Sequence, residues 1–132
     1  MASIDEQILR AAARTHLRTG LTIAAHTGSA ETAEHQMRLL EEEGVDLSAW
    51  IWVHAQNATE PSSTVGAARS GAWVSFDGLS TENADRYLEI LSDMKAEGVL
   101  DRILVSHDAG WYHVGEPGGG EYRGYAALFT GL

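Results

Sequence analysis

The segment from Ile103 to Trp111, with the sequence ILVSHDAGW, constrains the fold of this chain more than any other segment. Three branched aliphatic residues in a row are typical of a strand buried on both faces, as in the parallel sheets of α/β proteins. His107 and Asp108, which follow this strand, are costly to bury without partners. In α/β folds, ligands and catalytic groups lie at the carboxyl ends of parallel strands. We therefore expect other strands to end in partners for Asp108.

The same unit, a short apolar strand followed by a polar residue and a helix, occurs three more times in the chain. The earlier strands end in His26, His54 and Asp77, and an amphipathic helix separates each strand from the next. Alternating strands and helices predict parallel strands in one sheet, and therefore an α/β fold of four strand–helix units. After the fourth strand, a last helix is expected from Tyr122 to Phe129.

The composition argues against several classes of function. The formal net charge of -10, from 19 acidic and 9 basic residues, opposes binding to nucleic acids or anionic membranes. The absence of cysteine excludes a disulfide framework and a cysteine-ligated zinc site. No apolar run is long enough to span a bilayer, and the N-terminal residues lack a signal-peptide pattern. We therefore expect a cytoplasmic protein.

The polar residues at the four strand ends predict a metal site. A single histidine at a strand end is more often a hydrogen-bonded structural residue, but parallel strands bring all their carboxyl ends to one pocket. Two imidazoles and a carboxylate match the ligand set of a hydrolytic zinc or a related divalent metal. Such a metal lowers the pKa of bound water, and a neighbouring carboxylate can take the proton from the attacking water.

Three short motifs make a family resemblance specific. The sequences Ala25-His26-Thr27, Val53-His54-Ala55 and Ser106-His107-Asp108, in this order on successive strands, resemble the second half of the phosphotriesterase family. That family consists of metal-dependent (β/α)8 barrels within the amidohydrolase superfamily. The resemblance covers the whole chain. It implies that residues 1–132 form one domain, half of a (β/α)8 TIM barrel whose four units correspond to strands five to eight.

The resemblance also implies roles for individual residues. His26 matches the metal-binding histidine of the fifth barrel strand, and His54 matches that of the sixth. Asp108 matches the aspartate of the eighth strand, which touches the metal and acts as the catalytic base. Zinc is the expected metal, with manganese and cobalt as alternatives. A loop carries the next residues, which we expect to contact substrate: Trp111, Tyr112 and His113.

The sequence departs from the family pattern in two ways. Gly78 and Asn57 stand where some organophosphate-hydrolysing members have a relay histidine and an aspartate, so a lactone or ester fits at least as well as a phosphoester. The family's His-x-His of the first strand and its bridging lysine of the fourth have no counterpart. The only lysine, Lys95, lies in the middle of a predicted helix.

These departures leave three interpretations open. The first is a metal-dependent hydrolase that cleaves ester, lactone or phosphoester bonds in a small molecule through a metal-activated water. The second is a truncated, non-catalytic fragment. The third is a half-barrel subunit that completes its site with a copy of itself or with a second half-barrel. A homodimer is expected, because an open half-barrel exposes an apolar face and unpaired strand edges.

Overall fold

The computed structural model describes residues 3–130, apart from the side chains of Ser3 and Ala127, and it confirms the predicted α/β fold. Residues 1, 2, 131 and 132 of the predicted domain lie outside this range. The helices are α1 (Ser3–Thr19), α2 (Ala30–Glu42), α3 (Pro61–Arg69), α4 (Ala84–Ala96) and α5 (Ala127–Thr130). The strands are β1 (Ile23–His26), β2 (Trp50–Val53), β3 (Trp73–Phe76) and β4 (Ile103–Val105). All four strands are parallel and lie in one sheet in chain order, β1-β2-β3-β4.

The hydrophobic core lies between one face of the sheet and the first four helices. Side chains alternate between the two faces of a strand, so Trp50 and Trp52 share a face, and they are 0% and 1% exposed. The register puts Ile23 of β1 and Val74 of β3 on the same face. Buried residues from the helices complete the core: Leu9, Ala13, Ala33, Leu39, Leu40, Val65, Ala67, Ala68, Tyr87 and Met94.

The opposite face of the sheet is only partly covered. It carries Ala24, Ile51, Trp73 and Leu104, which are exposed or half-buried although three of them are large and apolar. In addition, β1 and β4 each pair with only one neighbour in the described part of the chain, so both strands have an outer edge. We call this face, together with its two edges, the open face.

The connections from α2, α3 and α4 to the strands that follow them have the same hydrogen-bond pattern. At the end of α2, Gly44 adopts φ 82 and donates to the Glu41 carbonyl, while the Val45 N–H donates to the Leu40 carbonyl. These two bonds form a Schellman motif, which ends a helix and packs the following apolar residue against its last turn. The same pair of bonds ends α3 and α4, through the following residues: Gly71, Ala72, Gly98 and Val99.

The last helix is shorter than the sequence predicts. It begins at Ala127 instead of Tyr122, because the backbone and side chain of Arg123 form hydrogen bonds with the turn that follows β4. No helix within residues 3–130 has the length and hydropathy needed to cross a bilayer. The cytoplasmic location stays a prediction.

Candidate metal centre

The predicted strand-end residues meet at the carboxyl edge of the sheet. His26 is the last residue of β1, and His54 and Asp77 directly follow β2 and β3. Asp108 comes three residues after β4. One ligand atom from each of His54, Asp77 and Asp108 lies within 4.8 Å of the others. The His26 ring packs edge-on against His54, with the centroids 4.1 Å apart.

Asp77 is the residue to which the sequence assigned no separate role. Like the two histidines, it comes at the end of an apolar strand, and this position is the sequence signal that places Asp77 in the site. Its side chain is buried, whereas Asp108 is exposed and His26 lies at the exposed end of β1. The cluster therefore combines one buried carboxylate with groups that a ligand can reach.

Two members of the cluster adopt an unusual backbone conformation. His54 has φ 66 and Asp108 has φ 45, and within residues 3–130 no other residue except glycine has a positive φ. For a residue with a Cβ, this left-handed conformation costs roughly 1–2 kcal/mol. At His54 it also interrupts the alternation of β2, which would otherwise turn this side chain toward the helices. The backbone thus places both side chains at the shared edge.

The carboxylate of Asp77 is saturated with hydrogen bonds. It accepts from the His54 N–H at 2.9 Å, the Gln56 amide at 2.9 Å and the Ser75 hydroxyl at 3.3 Å, and also closely from Nδ1 of the His54 ring. Gln56 in turn accepts from the Asp77 N–H at 3.1 Å. Because a carboxylate only accepts, Nδ1 of His54 carries the proton and Nε2 is left to bind a ligand.

These contacts also set the charge of Asp77. Burial by itself raises the pKa of this carboxyl group, but hydrogen bonds from Gln56 and His54 outweigh it and hold the pKa below its usual value. Asp77 is therefore ionised at neutral pH. A carboxylate that accepts from the second nitrogen of a metal-binding histidine fixes its tautomer and orientation. This geometry suits Asp77 as a partner of His54.

The end of β1 is anchored beside His26. Thr27 is buried, and its carbonyl accepts a hydrogen bond from the Trp52 indole at 3.0 Å. Its hydroxyl donates a hydrogen bond to the side-chain oxygen of Gln36 at 2.8 Å. The Thr27 N–H donates to the Val53 carbonyl at 3.1 Å, which extends the pairing of β1 with β2 beyond His26. These bonds hold the backbone around His26 next to His54.

The donor set fits a divalent metal. Imidazole nitrogens and carboxylate oxygens are zinc ligands, and His54 keeps Nε2 available because Nδ1 is bonded to Asp77. The Asp108 side chain is 39% exposed, and its Oδ2 lies 4.0 Å from Nδ1 of His54. His54 and Asp108, two of the predicted ligands, therefore lie close together, and the third, His26, packs against the His54 ring.

An open cleft of about 920 Å³ begins at Asp108. Trp111 and His113, two of the residues that we expect to contact substrate, line it together with Glu82 and Arg123. Tyr112 is not part of the lining and is 73% exposed. Its ring packs so closely on Gly119 that a Cβ there would come within 2.5 Å of it. The cleft has the size of a small-molecule site.

Comparison with known proteins identifies relatives of the chain. The phosphotriesterase family matches residues 1–130. A phosphotriesterase homology protein of Mycobacterium tuberculosis is 31% identical over 111 residues, which cover 81% of this chain and 34% of that protein. A resiniferatoxin-binding protein from Rhodobacter sphaeroides superimposes with a TM-score of 0.80 at 28% identity, covering 98% of this chain and 39% of that structure. A lactonase from Listeria monocytogenes gives 0.76 at 29% identity, covering 82% and 34%.

The similarity runs along nearly all of this chain but only part of its relatives. The chain spans 34–41% of the length of the curated proteins that it matches. The family match includes every strand of the sheet and every residue of the cluster. With this match and this fold, the chain belongs to the phosphotriesterase family.

Proposed function

We propose that residues 1–132 are the C-terminal half-barrel of a metal-dependent hydrolase of this family, with strands equivalent to the fifth to eighth. His26, His54 and Asp108 would hold a divalent metal, zinc before manganese or cobalt. The observation that carries the proposal is the convergence of these residues at one sheet edge, two of them in a left-handed conformation. Strain of this kind persists where the surrounding structure imposes it, and it is concentrated at functional sites.

Each residue of the cluster has a defined task in this proposal. Asp77 orients His54 and keeps its proton on Nδ1, so that Nε2 stays available for the metal. Asp108 is the most exposed carboxylate of the cluster and serves as the general base that accepts a proton from the attacking water. The metal, when bound, polarises the substrate oxygen and lowers the pKa of water.

A small ester or lactone is the proposed substrate, bound in the cleft beside Asp108 by Trp111 and His113, whereas Tyr112, which was also expected to contact substrate, lies outside the lining of this cleft. Gly78 supports this class over a phosphotriester. It has φ 101, and a Cβ there would lie 3.4 Å from side-chain atoms of Gln56 and Tyr87. A relay histidine, present at this position in some organophosphate hydrolases, would be strained here.

A second proposal follows from the open face. In this proposal the chain is a half-barrel subunit: a homodimer covers its open face, and a second half-barrel that supplies the missing ligands completes its site. Apolar faces of this kind are rare on the surface of monomers, and the outer edges of β1 and β4 can accept further strands. Lys95 is exposed on α4, so it cannot replace the bridging lysine of the family. Without a partner, the chain would be a non-catalytic fragment.

Metal content tests the first proposal directly. We expect one divalent metal per chain, detected by elemental analysis of protein purified without chelator. His26→Ala and His54→Ala each remove a neutral imidazole ligand, so both variants should lose most of this metal. His35→Ala is the matched control, because His35 bonds Glu6 on α1. Equal metal content in the wild type, in both site variants and in the control would contradict the site.

Asp77→Asn tests the orienting role of the buried carboxylate. The variant keeps the shape of the side chain but removes the charge that fixes the proton on Nδ1 of His54. We expect zinc affinity to fall about 10- to 100-fold, measured by calorimetric titration. Asp93→Asn changes an exposed aspartate of α4 in the same way and should bind zinc as the wild type does. Unchanged affinity in Asp77→Asn would remove Asp77 from the site.

Steady-state assays test whether one chain suffices for catalysis. We expect no turnover above background with lactones, aryl esters or organophosphates. The reason is that the ligands of a second metal, the His-x-His and the lysine, have no counterpart with which to position the reacting groups. Turnover that survives purification and disappears in Asp108→Asn would show that the single chain is catalytic.

Sedimentation equilibrium tests the homodimer. We expect a mass of twice 14.2 kDa over a wide concentration range, because pairing buries the open face. Ala24→Arg places a charge on this face and should shift the mass toward that of one chain. Ala11→Arg makes the same change on an exposed position of α1 and should leave the dimer intact. A monomer at every concentration would exclude the homodimer.

A further inference from the structure

The turn that carries Asp108 is held by a distant segment of the chain. The pairing of β3 with β4 extends through the Ser106 N–H, which donates to the Phe76 carbonyl at 3.2 Å, and the Ser106 carbonyl accepts from Gly78 and Leu79. Beyond Ser106, the Trp111 indole donates to the Asp108 carbonyl at 3.1 Å, and further contacts to the turn come from residues 123–128, which we call the C-terminal clasp.

Arg123 makes the central contact of the clasp. Its Nη2 donates to the carbonyl of His107 and to that of Asp108, both at 2.7 Å. Its own carbonyl accepts from the Gly110 N–H at 3.0 Å, so the two segments are bonded in both directions. Successive carbonyls of an extended strand point in opposite directions. Two neighbouring carbonyls that meet one nitrogen therefore require a sharp turn, which the φ of 45 at Asp108 supplies.

Two further contacts fix the clasp against this turn. The Leu128 N–H donates to Nε2 of the buried His107 at 2.9 Å. The ring of Tyr125 lies over Gly110, where a Cβ would come within 2.7 Å of it. The clasp thus packs on both sides of Asp108, and Arg123 reaches the residue itself.

We propose that Arg123 is a positioning residue for Asp108. By holding two neighbouring carbonyls, its guanidinium keeps Asp108 in the left-handed conformation and directs the carboxylate toward His54, whose Nδ1 lies 4.0 Å from Oδ2. A guanidinium suits this task because it stays charged and carries several fixed donors. The functional part of this inference rests on the proposed metal site, whereas the conformational part does not.

The experiment compares Arg123→Met and Arg123→Gln with the wild-type chain. Methionine removes the donors and keeps an unbranched chain, and glutamine keeps a polar but shorter group. If one variant does not fold, the other still tests the inference. Arg69→Met is the control, because Arg69 is an exposed arginine that also donates to a backbone carbonyl, that of Glu97, at 3.3 Å. NMR of the metal-free protein reads the backbone conformation of Asp108 through its one-bond Cα–Hα coupling. Titration with Co²⁺, followed by visible absorption, reads the site.

We expect both Arg123 variants to lose the left-handed conformation of Asp108 and to bind Co²⁺ about 10- to 100-fold more weakly. The Arg69 variant should match the wild type in both measurements. A folded Arg123 variant that keeps the wild-type coupling at Asp108 would overturn the inference, whatever its Co²⁺ affinity. A wild-type chain that binds no Co²⁺ would refute the proposed metal site, and the coupling would still decide the role of Arg123.

Discussion

Parallel pairing of four consecutive strands in chain order is the constraint on which the rest of the structure depends. It brings every strand-to-helix turn to the same edge, so residues 23 to 54 positions apart in sequence come close to one another. The hydrogen bonds between Asp77 and His54 are then possible because β2 and β3 are neighbours whose ends lie within one residue of each other. Any change in strand order would separate the cluster.

In the site, hydrogen bonds from distant residues offset the conformational cost of a left-handed backbone. His54 and Asp108 occupy backbone conformations that side chains with a Cβ avoid, and each is held there by a group from another element. Asp77 bonds both the backbone N–H and the ring of His54, while Arg123 bonds the backbone of Asp108. Each strained residue is thus held by a hydrogen-bonding partner, which is the arrangement expected of a preorganised site.

Much of this arrangement could be predicted from the sequence, because short apolar strands followed by polar residues are a local pattern. The α/β fold, the strand ends and the adjacency of His26, His54 and Asp108 all follow from that pattern. The support around them is tertiary. Three of the four hydrogen bonds to Asp77 come from residues that follow the neighbouring strand β2, and Arg123 acts on a residue 15 positions earlier. The same contact prevents Tyr122 from starting a helix, which an apolar helical pattern alone cannot reveal.

The Schellman motifs at the ends of three helices have a consequence for how this protein can change. They lie at the amino-terminal edge of the sheet and form three helix-to-strand turns with the same hydrogen bonds. The opposite edge has turns of unequal length and conformation, including the long segment after β4. The turns at the amino-terminal edge of the sheet therefore keep the strands in place, whereas the turns at the carboxyl edge differ from one another. Residues of the turns at the carboxyl edge can therefore change, by selection or by engineering, without disturbing the Schellman motifs that keep the strands aligned.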